Sequence, residues 1–152
     1  MIINIFNQQE SLKFAIDRFE PLIKQVLLEE KCFCNEVSVY LVDTETISSM
    51  HLQYFGDPSP TDCISFPLDE DDKESPYIVL GDVFICPETA INYAINNQLD
   101  PYEETTLYLV HALLHLMGYD DIEENDLIEM RKAEKMHLEK LKLLNLCLVA
   151  PR

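Results

Sequence analysis

The chain has 152 residues, 28 of them acidic against 11 basic, and a formal net charge of −17. That length fits one domain, residues 1–152, and a hydrophobic fraction of 47% is enough for a proper core. The acidity excludes long-range attraction to nucleic acid, so any RNA must be met locally, through a basic patch or a bound cation.

The cysteines Cys32, Cys34, Cys63, Cys86 and Cys147 are odd in number and form no C-x-x-C pair. They read as reduced thiols of a cytoplasmic protein. No apolar run approaches the roughly 20 residues of a membrane span, and Met1 to Phe6 lacks the charge and length of a signal peptide.

Ile2, Ile3 and Ile5 make a β-prone start. Residues 10–31 then carry Leu12, Ala15, Ile16, Phe19, Leu22, Ile23, Val26 and Leu27 at helical spacing, which predicts a helix kinked or restarted at Pro21. Val37 to Asp43 reads as a strand, with Thr44 as cap of a helix to about Tyr54. His51 on that helix has no ligand-like neighbour at helical spacing and reads as structural or exposed. Residues 56–60 compose a turn and 61–66 a short strand. The acidic run Asp69 to Glu74 reads as a solvated loop. The stretch 77–86 is the longest strand, apolar enough for a central place buried on both faces, with a bulge or close backbone approach at Gly81-Asp82. Pro87 opens a helix to about Asn97, and Asp100-Pro101 opens another to residue 117. That second helix is apolar nearly all round and is expected to be buried. The last helix, about 122–143, is amphipathic and holds Arg131, Lys132, Lys135, Lys140 and Lys142. These cations suit its C-terminal dipole, or else a patch for RNA or a partner. His137 in this helix receives no role.

Within the buried helix, His111 and His115 stand four residues apart, on one face and about one turn from each other, so that both imidazoles can meet one metal ion. The alternative is a pair of satisfied core histidines. Gly118 offers a left-handed residue at which the chain can turn. Asp121, or its neighbour Asp120, then stands where a third ligand is needed, while either Asp could instead cap the last helix. Three protein ligands leave one position open, which is the catalytic arrangement of zinc. Zinc peptidases with this layout carry a Glu base directly after the first His. Here that residue is Ala112, which cannot accept a proton and makes a metallopeptidase a weak reading.

The run from His111 to Asp121, H-A-L-L-H-L-M-G-Y-D-D, closely resembles the H-G-x-L-H-L-x-G-Y-D-H hallmark of the YbeY endoribonucleases, bacterial ribosomal-RNA maturation factors. Residues 60–67, P-T-D-C-I-S-F-P, and 80–85, L-G-D-V-F-I, are similar to two further blocks of that family, in family order. The resemblance implies an α+β fold with a small mixed sheet of about four strands packed with about five helices. It also implies one Zn²⁺ held by His111, His115 and Asp121, cleavage of single-stranded RNA, and work on ribosomal RNA at the small ribosomal subunit. A non-catalytic, metal-containing ribosome assembly factor is the alternative. Two positions depart from the pattern. Asp121 stands where the family has His; it keeps a competent ligand, adds a negative charge and predicts a shifted pH optimum. Phe55 stands where the family has an Arg, and a phenyl ring cannot bind phosphate as a guanidinium does.

Overall fold

A computed structural model describes residues 1–59, 61–68 and 76–152. The element order is β1 (Ile2–Gln8), α1 (Phe19–Glu29, entered through a single 3-10 turn), β2 (Glu36–Val42), α2 (Thr44–Phe55), β3 (Cys63–Pro67), β4 (Val79–Ile85), α3 (Pro87–Asn97), α4 (Pro101–Leu116) and α5 (Glu124–Leu143). The sheet runs β1-β2-β4-β3. β1, β2 and β4 are parallel, and β3 joins β4 antiparallel at the edge. The fold is α+β with one small mixed sheet and five α-helices among the described residues.

One sheet face presents Val37, Val39, Leu41, Val83 and Ile85 to α1, α4 and α5, forming the main core with Leu22, Val26, Leu109, Leu113 and Met130. The other face builds a smaller cluster against α2 from Val42, Ile47, Ile64 and Cys86. α4 lies in the main core: Leu109, Val110, Ala112, Leu113 and Leu114 are fully buried. Its polar buried residues Thr105 and Thr106 donate back to the carbonyls of Pro101 and Tyr102, so no hydroxyl is stranded. Asp100 caps its N-terminus through the Tyr102 amide.

Several expectations are corrected. Residues 10–15 are not helical. The Gln9 side chain accepts from the Leu12 amide and donates to the Leu12 carbonyl, closing a local turn in competition with a helix. The helix begins only at Phe19, which places Pro21 in the first turn, where a missing amide costs nothing. Asp43, not Thr44, caps α2 by accepting from the Thr46 amide. β4 is interior as expected but not buried alike on both faces: Gly81, Val83 and Ile85 are buried, whereas Leu80, Asp82 and Phe84 are half-buried. Gly81 shows both a bulge and a close approach. The β2–β4 register shifts beside it. A Cβ there would overlap the Phe66 carbonyl oxygen and lie 2.8 Å from the Leu116 side chain. The acidic run Asp69 to Glu74, and Pro60 of the preceding turn, lie outside the described residues.

Candidate metal centre

α4 ends at Leu116, and Gly118 takes a φ of +100° that turns the chain back over the helix end. This bend carries Asp121 to the two histidines. The Nε2 atoms of His111 and His115 lie 3.1 Å apart, and the Asp121 Oδ2 lies 3.4 Å from each. All three groups are half-buried, so they are both sheltered and reachable.

The other ring nitrogens are held. His111 Nδ1–H donates to Glu134 Oε2 at 2.7 Å, and His115 Nδ1–H donates to the Tyr119 carbonyl at 3.0 Å. A carboxylate and a carbonyl only accept, so both protons sit on Nδ1 and both Nε2 lone pairs face the same point. Two imidazole lone pairs and a carboxylate converging without a cation would repel one another. Zinc bonds of about 2.0–2.1 Å define a tetrahedron with edges of about 3.3 Å. The observed triangle matches one face of such a tetrahedron, so the residues fit a divalent ion of that size.

Glu134 is an outer support that no local motif announced. It is 4% exposed, and Arg131 Nη1 donates to both its oxygens at 2.6 and 2.8 Å. Burial opposes its ionisation, but the hydrogen bonds from His111 and Arg131 prevail and hold its carboxyl below the usual range. The signal was present in α5: Met130, Glu134, His137 and Leu141 form the buried stripe, and a carboxylate on an apolar stripe needs a partner. His137 is likewise bound, with Nε2–H donating to Glu30 Oε2 at 2.7 Å. Tyr119 donates its phenol proton to Glu30 Oε1 at 2.8 Å. The bend is thus tied to α1 and α5 by the side chain of the residue whose carbonyl orients His115.

Asp120 and Asp121 separate cleanly. Asp120 Oδ1 accepts from the Asp121 amide and is no part of the triangle. Neither caps α5, whose N-cap position is Glu123. Four of the five α5 cations lie beside carboxylates. Besides Arg131, Lys132 pairs with Glu129, Lys140 with Glu29 and Lys142 with Glu103.

The triangle opens into a cleft of about 420 Å³. His51 and Phe55 from α2, Thr61 to Ser65 leading into β3, and Asp120 to Ile122 on the bend border it. His51, read from the sequence as structural or exposed, is in the wall of the site. Its Nδ1–H donates to the Ser59 carbonyl at 3.0 Å. Ser65 donates to the Ala112 carbonyl at 2.9 Å and fixes β3 against α4. Burial first, then the charges of Asp62, Asp121 and Glu134, raises the Cys63 thiol well above the ordinary value, and Cys63 is not part of the triangle.

The model of the endoribonuclease YbeY family matches residues 4–142. The chain belongs to the YbeY family. A YbeY endoribonuclease of Protochlamydia amoebophila is 56% identical over 146 residues, 96% of this chain and 97% of that one. The YbeY endoribonuclease of Chlamydia pneumoniae is 34% identical, covering 90% of this chain and 88% of its own length. A solution structure of a Thermotoga maritima protein superposes with a TM-score of 0.63 at 25% identity, covering 91% of this chain and 88% of that one. No described helix of this YbeY-family chain is long and apolar enough to cross a membrane.

Proposed function

We propose that this chain is an endoribonuclease that hydrolyses single-stranded RNA at one zinc ion held by His111, His115 and Asp121. The observation that carries the reading is the donor triangle of 3.1, 3.4 and 3.4 Å at the floor of an open cleft. Family membership supports RNA as substrate. The resemblance of the three sequence blocks supports small-subunit ribosomal RNA, at its 3′ end, as the physiological target.

A divalent ion held there supplies Lewis acidity toward a phosphoryl oxygen and toward water. Glu134 and the Tyr119 carbonyl keep the two imidazoles in the liganding tautomer and orientation, as outer partners of metal sites do. His51, protonated at Nδ1 by its bond to Ser59, offers Nε2 as the proton-exchanging atom of the cleft wall. Ala112 is fully buried and apolar, so no general base follows the first histidine as it does in the zinc peptidases.

Incubation of the pure protein with labelled single-stranded RNA, with and without chelator, tests the reading. Cleavage that stops on metal removal and returns with zinc is expected. Cleavage that survives thorough metal removal refutes it. Metal analysis of Asp121→Ala tests the ligand set: zinc content should fall steeply, and unchanged content rejects Asp121.

A further inference from the structure

We propose that the cleft carries a nucleobase subsite, built on the Phe55 ring and flanked on the bend by Ile122, and that stacking there holds single-stranded RNA in place of cationic contacts to phosphate. The inference rests on the nuclease reading of the adjoining metal centre. Phe55 is 61% exposed and Ile122 83% exposed. A large apolar side chain in water is ordinary when it stands alone. These two border the same cleft as the ligand triangle, from different elements. The Phe55 ring is also backed by the His51 imidazole, with centroids 5.5 Å apart, and that imidazole is held by Ser59.

The charges around the cleft argue in the same direction. Its described lining contains no Lys or Arg, whereas Asp62, Asp120 and Asp121 all contribute carboxylates. The adjoining recess of about 540 Å³ holds Arg131, whose Nη1 is bonded to both oxygens of Glu134. In a chain of net charge −17, a phosphate backbone finds no side-chain cation along the described wall. A base offers an uncharged face, and stacking on an aromatic ring is indifferent to base identity. Cleavage should therefore show little base preference and shallow salt dependence.

The test uses zinc-loaded full-length protein and a fluorescent 2′-O-methyl oligoribonucleotide, which reports binding without cleavage. Anisotropy titrations compare wild type, Phe55→Ala and Phe55→Trp, with an abasic chain of the same length as control. Phe55→Ala is expected to weaken binding about 5- to 100-fold, while Phe55→Trp retains it. The abasic chain should bind wild type as poorly as the intact oligonucleotide binds Phe55→Ala. Zinc content should be equal in all three proteins, and affinity should fall with salt far less than for proteins that neutralise many phosphates. Unchanged affinity of Phe55→Ala, equal binding of the abasic chain, or no measurable binding by wild type would overturn the subsite. An apolar peptide that binds through Phe55 while the oligonucleotide does not bind would also overturn it, by pointing to a protein occupant. Loss of the nuclease reading looks different: wild type then binds the oligonucleotide through Phe55 yet cleaves no RNA with zinc present.

Discussion

A histidine serves a metal well only when its second ring nitrogen is also held, and here each holder is a different kind of group. The buried Glu134 carboxylate takes the His111 proton, and a backbone carbonyl takes that of His115. Glu134→Ala removes one holder and strands the Arg131 partner, so metal affinity should drop about 10- to 100-fold. Titration against a chromophoric zinc chelator measures this. Wild-type affinity in that variant would show that the ring needs no support. His51 belongs to the same scale. If its Nε2 exchanges a proton during hydrolysis, His51→Gln should lower kcat about 100-fold with zinc content intact, and single-turnover cleavage reads the difference.

At the scale of elements, the site depends on α4 meeting β3 and β4 on one side and the bend on the other. Gly81 permits the closest of these approaches. Gly81→Ala would push a methyl group into the Phe66 carbonyl and the Leu116 side chain, at the very end of the helix that carries His111 and His115. Overpacking of this kind costs about 1–3 kcal/mol, and urea denaturation should show a lower midpoint with reduced zinc retention. The bend has its own fastening in Tyr119 and Glu30. The Tyr119 phenol is pushed up to about 12, by burial first and then by the hydrogen bond and charge of Glu30. With the native value raised, the unfolded chain ionises first, near the ordinary tyrosine value of about 10. This contribution to stability is therefore complete below about pH 10 and lost as pH rises toward 12. Tyr119→Phe should lower stability at neutral pH by about 1 kcal/mol and flatten its decline over the alkaline window. Identical alkaline unfolding curves for the two proteins would contradict the role given to Glu30.

For the molecule as a whole, the question is whether the metal makes the fold or the fold makes the site. The core around α4 is apolar and closed without the triangle, which lies at its edge. The metal-free protein should stay folded. Zinc at 100 times its dissociation constant should add about 2.7 kcal/mol. Chelation is thus expected to lower Tm in circular dichroism without abolishing the helical signal at room temperature. A chain that unfolds on chelation would belong with the small zinc-built domains instead.

Local periodicity and covalent spacing were enough to specify much of the His111, His115 and Asp121 cluster. The apolar run of α4 predicted its burial, four-residue spacing put both imidazoles on one face, and Gly118 marked the turn that brings an aspartate back. The same periodicity misplaced the start of α1, because Leu12 reaches the core from an irregular segment and continues the spacing of Ile16 and Phe19 without a helix. The choice between Asp120 and Asp121 needed the folded chain, since the two differ in which way one turn aims them. Folding also brought Glu134 from α5 to His111, and His51 and Phe55 from α2 to the cleft. Those partners lie 23 to more than 50 residues apart in the chain, and no local preference encodes such a meeting. It is set by how the helices pack on the sheet, where burying apolar area fixes the positions that the polar groups must then satisfy.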